Sequence, residues 1–233
     1  MNITYSIKEW ESNFFKRAIY SAELQDSHSL HSDSVDGLVT CNIDSHDYDK
    51  LDALCKFGYS YIEGDIDFCK KINFIESDNF NQELIATSND IVELSAIVKG
   101  LYRFSRFREP WFREKERDLF YLMWLENAVN GSFDDICIIS KDNVGAIAGF
   151  ATVKITESSA RIGLLGVRKN SERSGVASYL LSQAEEFAML KNADQICVST
   201  QISNISAIRL YTKNSFIPSS TSIWLYKNEI HTI

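Results

Sequence analysis

The sequence lacks the features that would indicate a metal site, a disulfide framework or a membrane span. It has five cysteines, an odd number with no C-x-x-C pair: Cys41, Cys55, Cys69, Cys137 and Cys197. We therefore expect five structural thiols and a reducing compartment. The four histidines lie in polar segments without metal-ligand spacing, so no metal is predicted. No run approaches about 18 consecutive apolar residues, and the start lacks the apolar region of a signal peptide. The sequence thus predicts a cytoplasmic protein without membrane contact.

The sequence also lacks an excess of positive charge, because it has 24 Lys and Arg against 32 Asp and Glu. The formal net charge is −8 at pH 7, so no basic face is expected to bind a nucleic acid. A small anionic ligand is still compatible with this charge, because a local group of backbone amides binds anions whatever the total charge is. The length of 233 residues and the hydrophobic fraction of 45% indicate a globular chain of one large or two small domains.

Two α/β units are predicted, 1–75 and 83–233, joined by the polar stretch 76–82. In the first unit we expect strands at 18–24, 37–43 and 59–68, with a helix at 45–57 that Gly58 ends. In the second we expect the following order: strand 83–87, helix from Ser88 to about Tyr102, irregular segment 103–112, helix 116–129, strands 136–140, 144–155 and 160–167, helix 179–190, strand 195–200, helix 204–215 and strand 221–226. The three central strands should form an antiparallel meander, in a mixed and mostly antiparallel sheet flanked by helices.

The segment from Arg168 to Ser178 is the most informative part of the chain. It follows an apolar run that is typical of a buried strand, and it precedes a helix with apolar residues at helical spacing. A small-residue loop that opens a helix presents free N–H groups at the positive end of the helix dipole. Such a loop binds phosphate oxygens, and Gly175 and Ala177 leave room for a pyrophosphate to approach the backbone.

A second signal follows in the helix that starts at Asn204. Asn204, Ala207 and Tyr211 recur at steps of three and four residues, so they share one helix face. An amide that can form hydrogen bonds and a phenol that can donate a proton would then lie beside a position with little steric bulk. Packing of Leu210 and Tyr211 in the core explains the same pattern, and the nearby glycine loop is what favours the functional interpretation.

Together these two segments resemble the GNAT N-acetyltransferase superfamily. The loop reads Glu172-Arg-Ser-Gly-Val-Ala177, and the later motif, N-x-x-A-x-x-L-Y-x-x-x-G-F in the family, spans Asn204 to Phe216. Two positions depart from the family pattern: Glu172 replaces an Arg or Gln, and Ser215 replaces the usual Gly. Glu172 is expected to point away from the pyrophosphate, with Arg168 or Arg173 supplying positive charge. The resemblance implies a GNAT fold and acetyl-CoA as co-substrate, and the first unit is interpreted as a truncated GNAT-like copy that forms a wall of the acceptor cleft.

Scattered blocks extend the resemblance over nearly the whole chain, to the GNAT acetyltransferases of nucleotide-sugar metabolism. The blocks are Trp10–Phe15, Phe57–Asp65, Ser105–Phe112, Trp124–Gly131, Ala160–Leu165 and Trp224–Tyr226. They imply acetylation of a dTDP-linked amino sugar, with dTDP-4-amino-4,6-dideoxygalactose favoured, in the synthesis of enterobacterial common antigen.

The resemblance also implies roles for individual residues. The backbone N–H of Leu165 would stabilise the oxyanion. Tyr211 would protonate the departing thiolate, because the unperturbed pKa of a tyrosine is close to that of a thiol. Glu63 would accept the proton of the amine through a water. Acetyl-CoA would be held by Leu165, Val167, Arg173, Ser174, Gly175, Val176, Ala177, Ser178 and Asn204. The nucleotide sugar would be held by Arg103, Arg106, Trp111 and Asn127, with Trp10 and Phe14 from the first unit. Arg108, Asn13 and Asn130 are weaker candidates.

Three alternatives stay open. The acceptor could be another amine, a protein N-terminus or an aminoglycoside, because polycations are attracted by the net charge of −8. The chain could instead be a binding module for acetyl-CoA or a nucleotide sugar without catalysis, although the presence of both Asn204 and Tyr211 argues against this. Plain packing could explain the arginine and aromatic cluster.

The apolar final strand could extend a sheet across a homodimer.

Overall fold

A computed structural model describes residues 2–25, 31–32, 35–73 and 80–229. They form two compact units. The first contains the described residues of Met1–Asp65, Gln201–Ser203 and Ser220–Ile233, and the second contains those of Ile66–Thr200 and Asn204–Ser219. These bounds differ from the predicted units 1–75 and 83–233, because residues 66–73 belong to the second unit and residues 220–229 belong to the first.

The first unit is an α/β unit with a mixed sheet. Its elements are β1 (Asn2–Ile7), α1 (Glu9–Phe15), β2 (Ile19–Gln25), β3 (His31–Ser32), β4 (Gly37–Asp44), α2 (Tyr48–Lys56), and parts of β5 (Ser60–Lys71) and β10 (Ile217–Glu229). The strand order is β3-β1-β2-β4-β10, in which β1 is antiparallel to β2, β2 is parallel to β4, and β4 is antiparallel to β10. The Asp47 side chain starts α2 by accepting a hydrogen bond from the backbone N–H of Lys50 at 3.2 Å. Sequence patterns gave no assignment for β1 and α1.

The second unit carries the predicted meander. Its further elements are α3 (Ile91–Val98), α4 (Glu114–Val129), β6 (Ile136–Lys141), β7 (Ile147–Thr156), β8 (Ser159–Val167), α5 (Val176–Leu190), β9 (Gln195–Gln201) and α6 (Ile205–Lys213). The strand order is β5-β9-β8-β7-β6, and β6, β7 and β8 are antiparallel neighbours, which confirms the meander. β8 and β9 are parallel.

Strand β7 is the centre of the second unit. Every residue from Ile147 to Val153 is buried, the pattern of a strand that is covered on both faces. Gly149 approaches Val176 and Leu180 of α5, while α3 and α4 also contact the strand. The core cluster adds the buried face of α5, which is Leu180, Leu181, Ala184, Phe187 and Ala188, and it also contains Phe68 and Tyr211.

Two predictions near the start of the second unit are wrong. The predicted strand 83–87 is a 3₁₀ turn, Gln82–Leu84, followed by an isolated bridge between Ile85 and Ile138. The predicted helix from Ser88 to Tyr102 is a 3₁₀ turn and the short α3, which ends where Gly100 adopts a φ of +71°. The cap is Thr87 rather than Ser88, because Oδ2 of Asp90 accepts from both the N–H and the hydroxyl of Thr87.

The expectation of five packed thiols is also wrong. Cys69 on β5 and Cys197 on β9 form a disulfide, and Cys55 is exposed. Only Cys41 and Cys137 are buried free thiols, and burial raises the pKa of Cys41 to about 11. The argument for a reducing compartment therefore does not apply to the disulfide pair.

The final strand cannot extend a sheet across a dimer in the way that the sequence suggested. β10 lies between β4 and β5 in the strand order, so both of its edges are paired within the chain. None of the helices in the described part of the chain has the length and apolar content needed to cross a bilayer.

A stability prediction follows from Ser215, which stands where the GNAT pattern has glycine. Its φ is +67°, a left-handed conformation that costs a residue with a Cβ about 1–2 kcal/mol. We expect Ser215→Gly to raise the free energy of unfolding by up to about 1 kcal/mol, because glycine adopts this conformation without strain but loses more entropy on folding. Urea unfolding measures the change.

The matched control is Ser182→Gly on the exposed side of α5. Glycine inside a helix should lower the free energy of unfolding by roughly 0.5–1 kcal/mol. Equal destabilisation by both substitutions would contradict the assignment of strain to Ser215.

Candidate active site

The candidate site begins where two parallel strands part. β8 and β9 pair only from Ser159 to Ile162 on β8, opposite Gln195 to Val198 on β9. Beyond this point β8 continues to Val167 and β9 continues to Gln201 without further pairing to each other. The edge of β8 that faces β9 is therefore open over its last residues.

The backbone of Leu165 faces this open edge. The N–H of Arg168 donates to the carbonyl of Ala148 on β7 at 2.8 Å. Because hydrogen-bonding groups of successive residues point to opposite edges of a strand, those of Leu165 and Val167 point away from β7. A long hydrogen bond of 3.5 Å from the Tyr102 phenol to the Leu165 carbonyl agrees with this direction.

The loop after β8 delivers a helix N-terminus to the same region. Gly175, in the left-handed region with a φ of +92°, is the N-cap of α5. The first hydrogen bond of the helix runs from Tyr179 N–H to the Gly175 carbonyl at 3.0 Å, so the N–H groups of Val176 to Ser178 have no carbonyl partner within the helix. A Cβ at position 175 would meet nothing within 4 Å, which leaves this approach open.

A cleft of about 630 Å³ is lined by this loop and by α6. The lining residues are Val167, Ser171, Glu172, Arg173, Gly175, Val176, Ala177, Ser178, Ser206, Leu210 and Lys213. It thus brings together most of the predicted acetyl-CoA contacts, but Leu165, Ser174 and Asn204 do not line it. The Ser174 hydroxyl instead donates to the Ser171 carbonyl at 2.6 Å.

Sequence reasoning missed the α6 side of the cleft. Ser206, Leu210 and Lys213 are spaced by four and three residues, so they form one face of the helix. The same periodicity that singled out Asn204 and Tyr211 would have found this second face. Asn214 also contributes there, because its Nδ2 donates to the Ser178 hydroxyl at 3.1 Å.

The charges around the cleft differ in two ways from the prediction. Arg168 is paired with Glu93 on α3, so its charge is neutralised within the protein. Glu172 was predicted to point away, but it is one of the lining residues. Arg173 and Lys213, both exposed, are the cations that line the cleft and offset this carboxylate.

Tyr211 lies in the core cluster beneath α6. It is 5% exposed, and its ring contacts Phe68 and Phe216, with centroids 5.6 and 6.0 Å away. Burial raises the pKa of the Tyr211 phenol far above its ordinary value. The expectation of an unperturbed pKa that matches a thiol is therefore wrong. Leu165 packs against the same cluster, so the structure brings it into the region of Tyr211.

Asn204 has a structural role in the helix that carries Tyr211. Its Oδ1 accepts a hydrogen bond from the backbone N–H of Ala207 at 3.3 Å, which caps α6. Ala207 packs against the core cluster on the same side as Tyr211, so the predicted shared helix face is present.

The segment rich in arginine and aromatic residues is irregular, as predicted. Arg106 lies over the Phe107 ring at 4.0 Å, and Arg103 lies near Phe104 at 5.7 Å. Phe107 is buried against Phe112 and Phe120, so this part of the segment is packed in the core rather than available for stacking.

The remaining acceptor candidates of this unit lie in the same segment or at the end of α4. Trp111 is half-buried, and Arg108 donates to the carbonyl of Glu109. Asn127 lies in the last turn of α4, where its carbonyl accepts from the backbone N–H of Ser132, and Asn130 is the exposed C-cap of the same helix.

The other predicted residues belong to the first unit. Trp10 and Phe14 stack on α1 with centroids 6.1 Å apart, and Asn13 on the same helix is exposed. Glu63 lies inside β5 and is buried. Its Oε1 accepts from the Gly64 N–H at 3.0 Å and its Oε2 accepts from the Ser203 hydroxyl at 2.9 Å, so the carboxylate is fixed. Among the described residues, no group of three or more His, Cys, Asp or Glu side chains could hold a metal ion.

The parted strands, the glycine-capped helix and the motif on α6 agree with the family comparison. The sequence profile of the acetyltransferase (GNAT) family matches residues 100–216. This chain belongs to the GNAT family, and it is an N-acetyltransferase.

Among characterised proteins, it is 32% identical over 179 residues to the dTDP-fucosamine acetyltransferase of Escherichia coli O6:H1 (strain CFT073), which covers 76% of each chain. It is 28% identical over 140 residues to streptothricin acetyltransferase A of Bacillus subtilis (strain 168), which covers 58% of this chain and 76% of the relative.

Solved structures confirm the fold. A GCN5-related N-acetyltransferase from Sphaerobacter thermophilus superposes with a TM-score of 0.61 at 16% identity, over 84% of this chain and 61% of that one. A tandem GNAT protein from the clavulanic acid pathway superposes with a TM-score of 0.56 at 11% identity, over 84% of this chain and 65% of that one. The chain thus spans less than two thirds of both of these structures.

The cleft yields a prediction for Arg173 and Lys213. If they pair with phosphates of coenzyme A, Lys213→Ala and Arg173→Ala should each weaken coenzyme A binding about threefold to tenfold, more strongly at low salt, because both cations are exposed. Isothermal titration calorimetry measures the dissociation constant.

The control variant is Lys115→Ala on the exposed side of α4, and the control ligand is acetylpantetheine, which has no nucleotide phosphates. Neither the control variant with coenzyme A nor the two cleft variants with acetylpantetheine should change in affinity. An equal loss for both ligands would show that these cations do not bind phosphate.

Proposed function

We propose that this protein moves the acetyl group of acetyl-CoA to the amino group of a dTDP-linked amino sugar, with dTDP-4-amino-4,6-dideoxygalactose as the favoured acceptor. The observation that carries acetyl transfer is the open edge of β8 at Leu165, together with the amides that begin α5 and have no carbonyl partner within the helix. The sugar acceptor is supported by the 32% identity to the dTDP-fucosamine acetyltransferase.

The chemistry of the cleft suits coenzyme A. The N–H groups of Val176 to Ser178 offer donors to the diphosphate at a helix N-terminus, with Arg173 and Lys213 as cations. Leu165 and Val167 offer strand-like hydrogen-bonding groups along the open edge, which fits an extended pantetheine chain with its own amides. Acetyl-CoA supplies the activated acetyl thioester.

Three groups of the protein would then act on the reaction. The amine attacks the thioester carbon, and the Leu165 N–H stabilises the negative oxygen that forms. As the carbon–sulfur bond breaks, the Tyr211 phenol gives its proton to the thiolate. Glu63 takes one proton from the attacking nitrogen through a water, so the proton lost by the amine balances the proton gained by sulfur. The buried phenol is a weaker acid than free tyrosine, but it is fully protonated when the thiolate forms.

The nucleotide sugar would bind at the segment rich in arginine and aromatic residues. Arg103 is exposed and Arg106 and Trp111 are half-buried, so all three side chains reach the surface, where guanidinium groups suit phosphates and an indole suits a base. Asn127 is a further candidate. Trp10, Phe14 and Glu63 of the first unit stay predictions for this site. The interpretation of the first unit as a truncated GNAT copy likewise stays a prediction.

A second acceptor class has one specific observation in its favour, the 28% identity to a streptothricin acetyltransferase. The net charge of −8 would also attract a cationic antibiotic. The arginines of the 103–111 segment favour the anionic nucleotide sugar instead. The proposed co-substrates imply action in the cytoplasm, where acetyl-CoA is made and used.

Tyr211 gives a prediction with a defined pH dependence. Tyr211→Phe should lower kcat about 10²- to 10⁴-fold with little change in the KM of acetyl-CoA, because only the proton donor is lost. Burial disfavours the phenolate and raises the pKa, so Tyr211 stays protonated above pH 10. The wild-type kcat should therefore not fall between about pH 7 and pH 10.

The control is Tyr179→Phe, an exposed tyrosine at the start of α5, which should retain the wild-type kcat. A falling limb between pH 8 and pH 10 that disappears in Tyr211→Phe would show that the phenol ionises in this range, and it would contradict the assigned pKa direction.

Acceptor choice is tested by the release of free coenzyme A thiol. We expect turnover with dTDP-4-amino-4,6-dideoxygalactose and none above background with kanamycin, streptothricin or a peptide N-terminus. Arg106→Ala should raise the KM of the dTDP-sugar about tenfold or more, because a charged contact to phosphate is lost, while the KM of acetyl-CoA stays the same.

Turnover with streptothricin alone would favour the second acceptor class. An equal rise of both KM values in Arg106→Ala would remove that arginine from the acceptor site. Binding of both ligands without any release of thiol would favour the non-catalytic module.

A further inference from the structure

Strands β7 and β8 change register at one point. Ala151 faces Leu165, but Val153 faces Ile162. Two residues of β8 therefore lie opposite one residue of β7, Thr152. This arrangement is a β-bulge. The extra residue in β8 reverses the edge to which the hydrogen-bonding groups of the following residues point.

A side chain closes the bulge. Its two β8 residues are Gly163 and Leu164, and the N–H of Leu164 donates to Oγ1 of Thr152 at 2.8 Å. Thr152 is fully buried, and Leu164 is 3% exposed. The hydroxyl oxygen thus takes the place of the backbone acceptor that the bulge removes from the ladder.

The bulge determines which way Leu165 points. Without the extra residue, the register beyond the bulge would place Leu165 opposite Phe150 rather than Ala151. Ala148 accepts a hydrogen bond from Arg168 on β8, and residues two apart point to the same edge of a strand, so Phe150 is also directed at β8. Leu165 would then bond to Phe150, and its N–H would be lost from the open edge.

Close packing around Gly163 restricts the conformation of the bulge. A methyl group on Gly163 would lie 2.6 Å from Oδ2 of Asp134 and 3.0 Å from Oγ1 of Thr152, so this place has no room for a side chain. Trp124 Nε1 donates to the same Asp134 oxygen at 3.0 Å, and Asp134 is 3% exposed.

We propose that Thr152 is a positioning residue for acetyl transfer: its hydroxyl oxygen closes the bulge in β8 and keeps the Leu165 N–H directed at the open edge. The inference rests on the oxyanion role proposed for Leu165. Thr152 lies on β7 and is fully buried, so it acts through the backbone of β8 and not by contact with a substrate.

The test compares two substitutions that differ in the hydroxyl. Thr152→Val keeps the shape of the side chain but removes the acceptor for Leu164, whereas Thr152→Ser keeps the oxygen and removes a methyl group. We expect Thr152→Val to lower kcat about 10- to 100-fold, below the full loss of an oxyanion donor, and Thr152→Ser to stay within about threefold of the wild type. Acetyl-CoA affinity should change less than about threefold in both.

A spectroscopic readout separates positioning from a loss of packing. The infrared carbonyl stretch of ¹³C-labelled acetyl-CoA should shift to lower frequency on binding to the wild type and to Thr152→Ser, and it should shift less on binding to Thr152→Val. Wild-type kcat and a full carbonyl shift in Thr152→Val would overturn the inference. An equal loss of kcat in the Ser and Val variants would also overturn it, because the hydroxyl would then not matter.

A measurement on the unaltered protein covers the case in which Thr152→Val does not fold. In ¹⁵N-leucine-labelled wild type without ligand, the Leu164 amide should exchange slowly with deuterium and the Leu165 amide should exchange much faster, because only the first is bonded inside the protein. Similar protection of both amides would overturn the inference. No carbonyl shift in the wild type would remove the oxyanion role of Leu165 and the inference with it, whereas a shift without turnover of the dTDP-sugar would contradict only the proposed acceptor.

Discussion

The hydrogen bond from the Leu164 N–H to the Thr152 hydroxyl is the interaction on which the candidate site depends. It closes the bulge in β8, and the bulge frees the hydrogen-bonding groups of Leu165 from β7. The pairing of β8 with β9 stops just before the same place, after Ile162. A strand that would otherwise be paired on both edges is therefore left with one free edge inside the protein, next to the buried Tyr211 cluster. Backbone groups that a fold normally uses for its own ladder become available for a ligand.

The cleft of the second unit carries positive groups although the chain as a whole is negatively charged. In a protein with a net charge of −8, the proposed anion site would combine the amides that begin α5 with Arg173 and Lys213, which line the same cleft. Arg168, the first basic residue of the loop, does not contribute, because Glu93 on α3 neutralises it and so ties the loop to a helix. Glu172 lines the same cleft and reduces its positive potential, which leaves the backbone amides as a larger share of the attraction.

Most features of the site that depend on residues close in sequence could be predicted, whereas features that depend on distant pairs could not. Local patterns failed at β1 and α1 and between residues 83 and 102. The phosphate loop, the helix it opens and the shared face of Ala207 and Tyr211 each lie within one short segment. The disulfide joins cysteines 128 residues apart, which no spacing rule connects. The interior position of β10 depends on β4, nearly the whole chain away, and a strand at the end of a sequence gives no sign of this. Thr152 and Asp134 escaped notice because a buried polar residue is recognisable only once its partner is known.

The division of β5 and β10 between the two units has a consequence for how such a protein can evolve. Phe68, which packs on Tyr211, comes from β5, well before the start of the family match at residue 100. In turn, the sheet of the first unit is completed by the end of the chain, through the pairing of β10 with β4. A gene segment that encodes only the family match at residues 100–216 would lack Phe68, one of the rings that pack on Tyr211. The first unit is therefore not encoded by one continuous stretch of the gene, and an exchange of either chain end alone would leave its sheet incomplete.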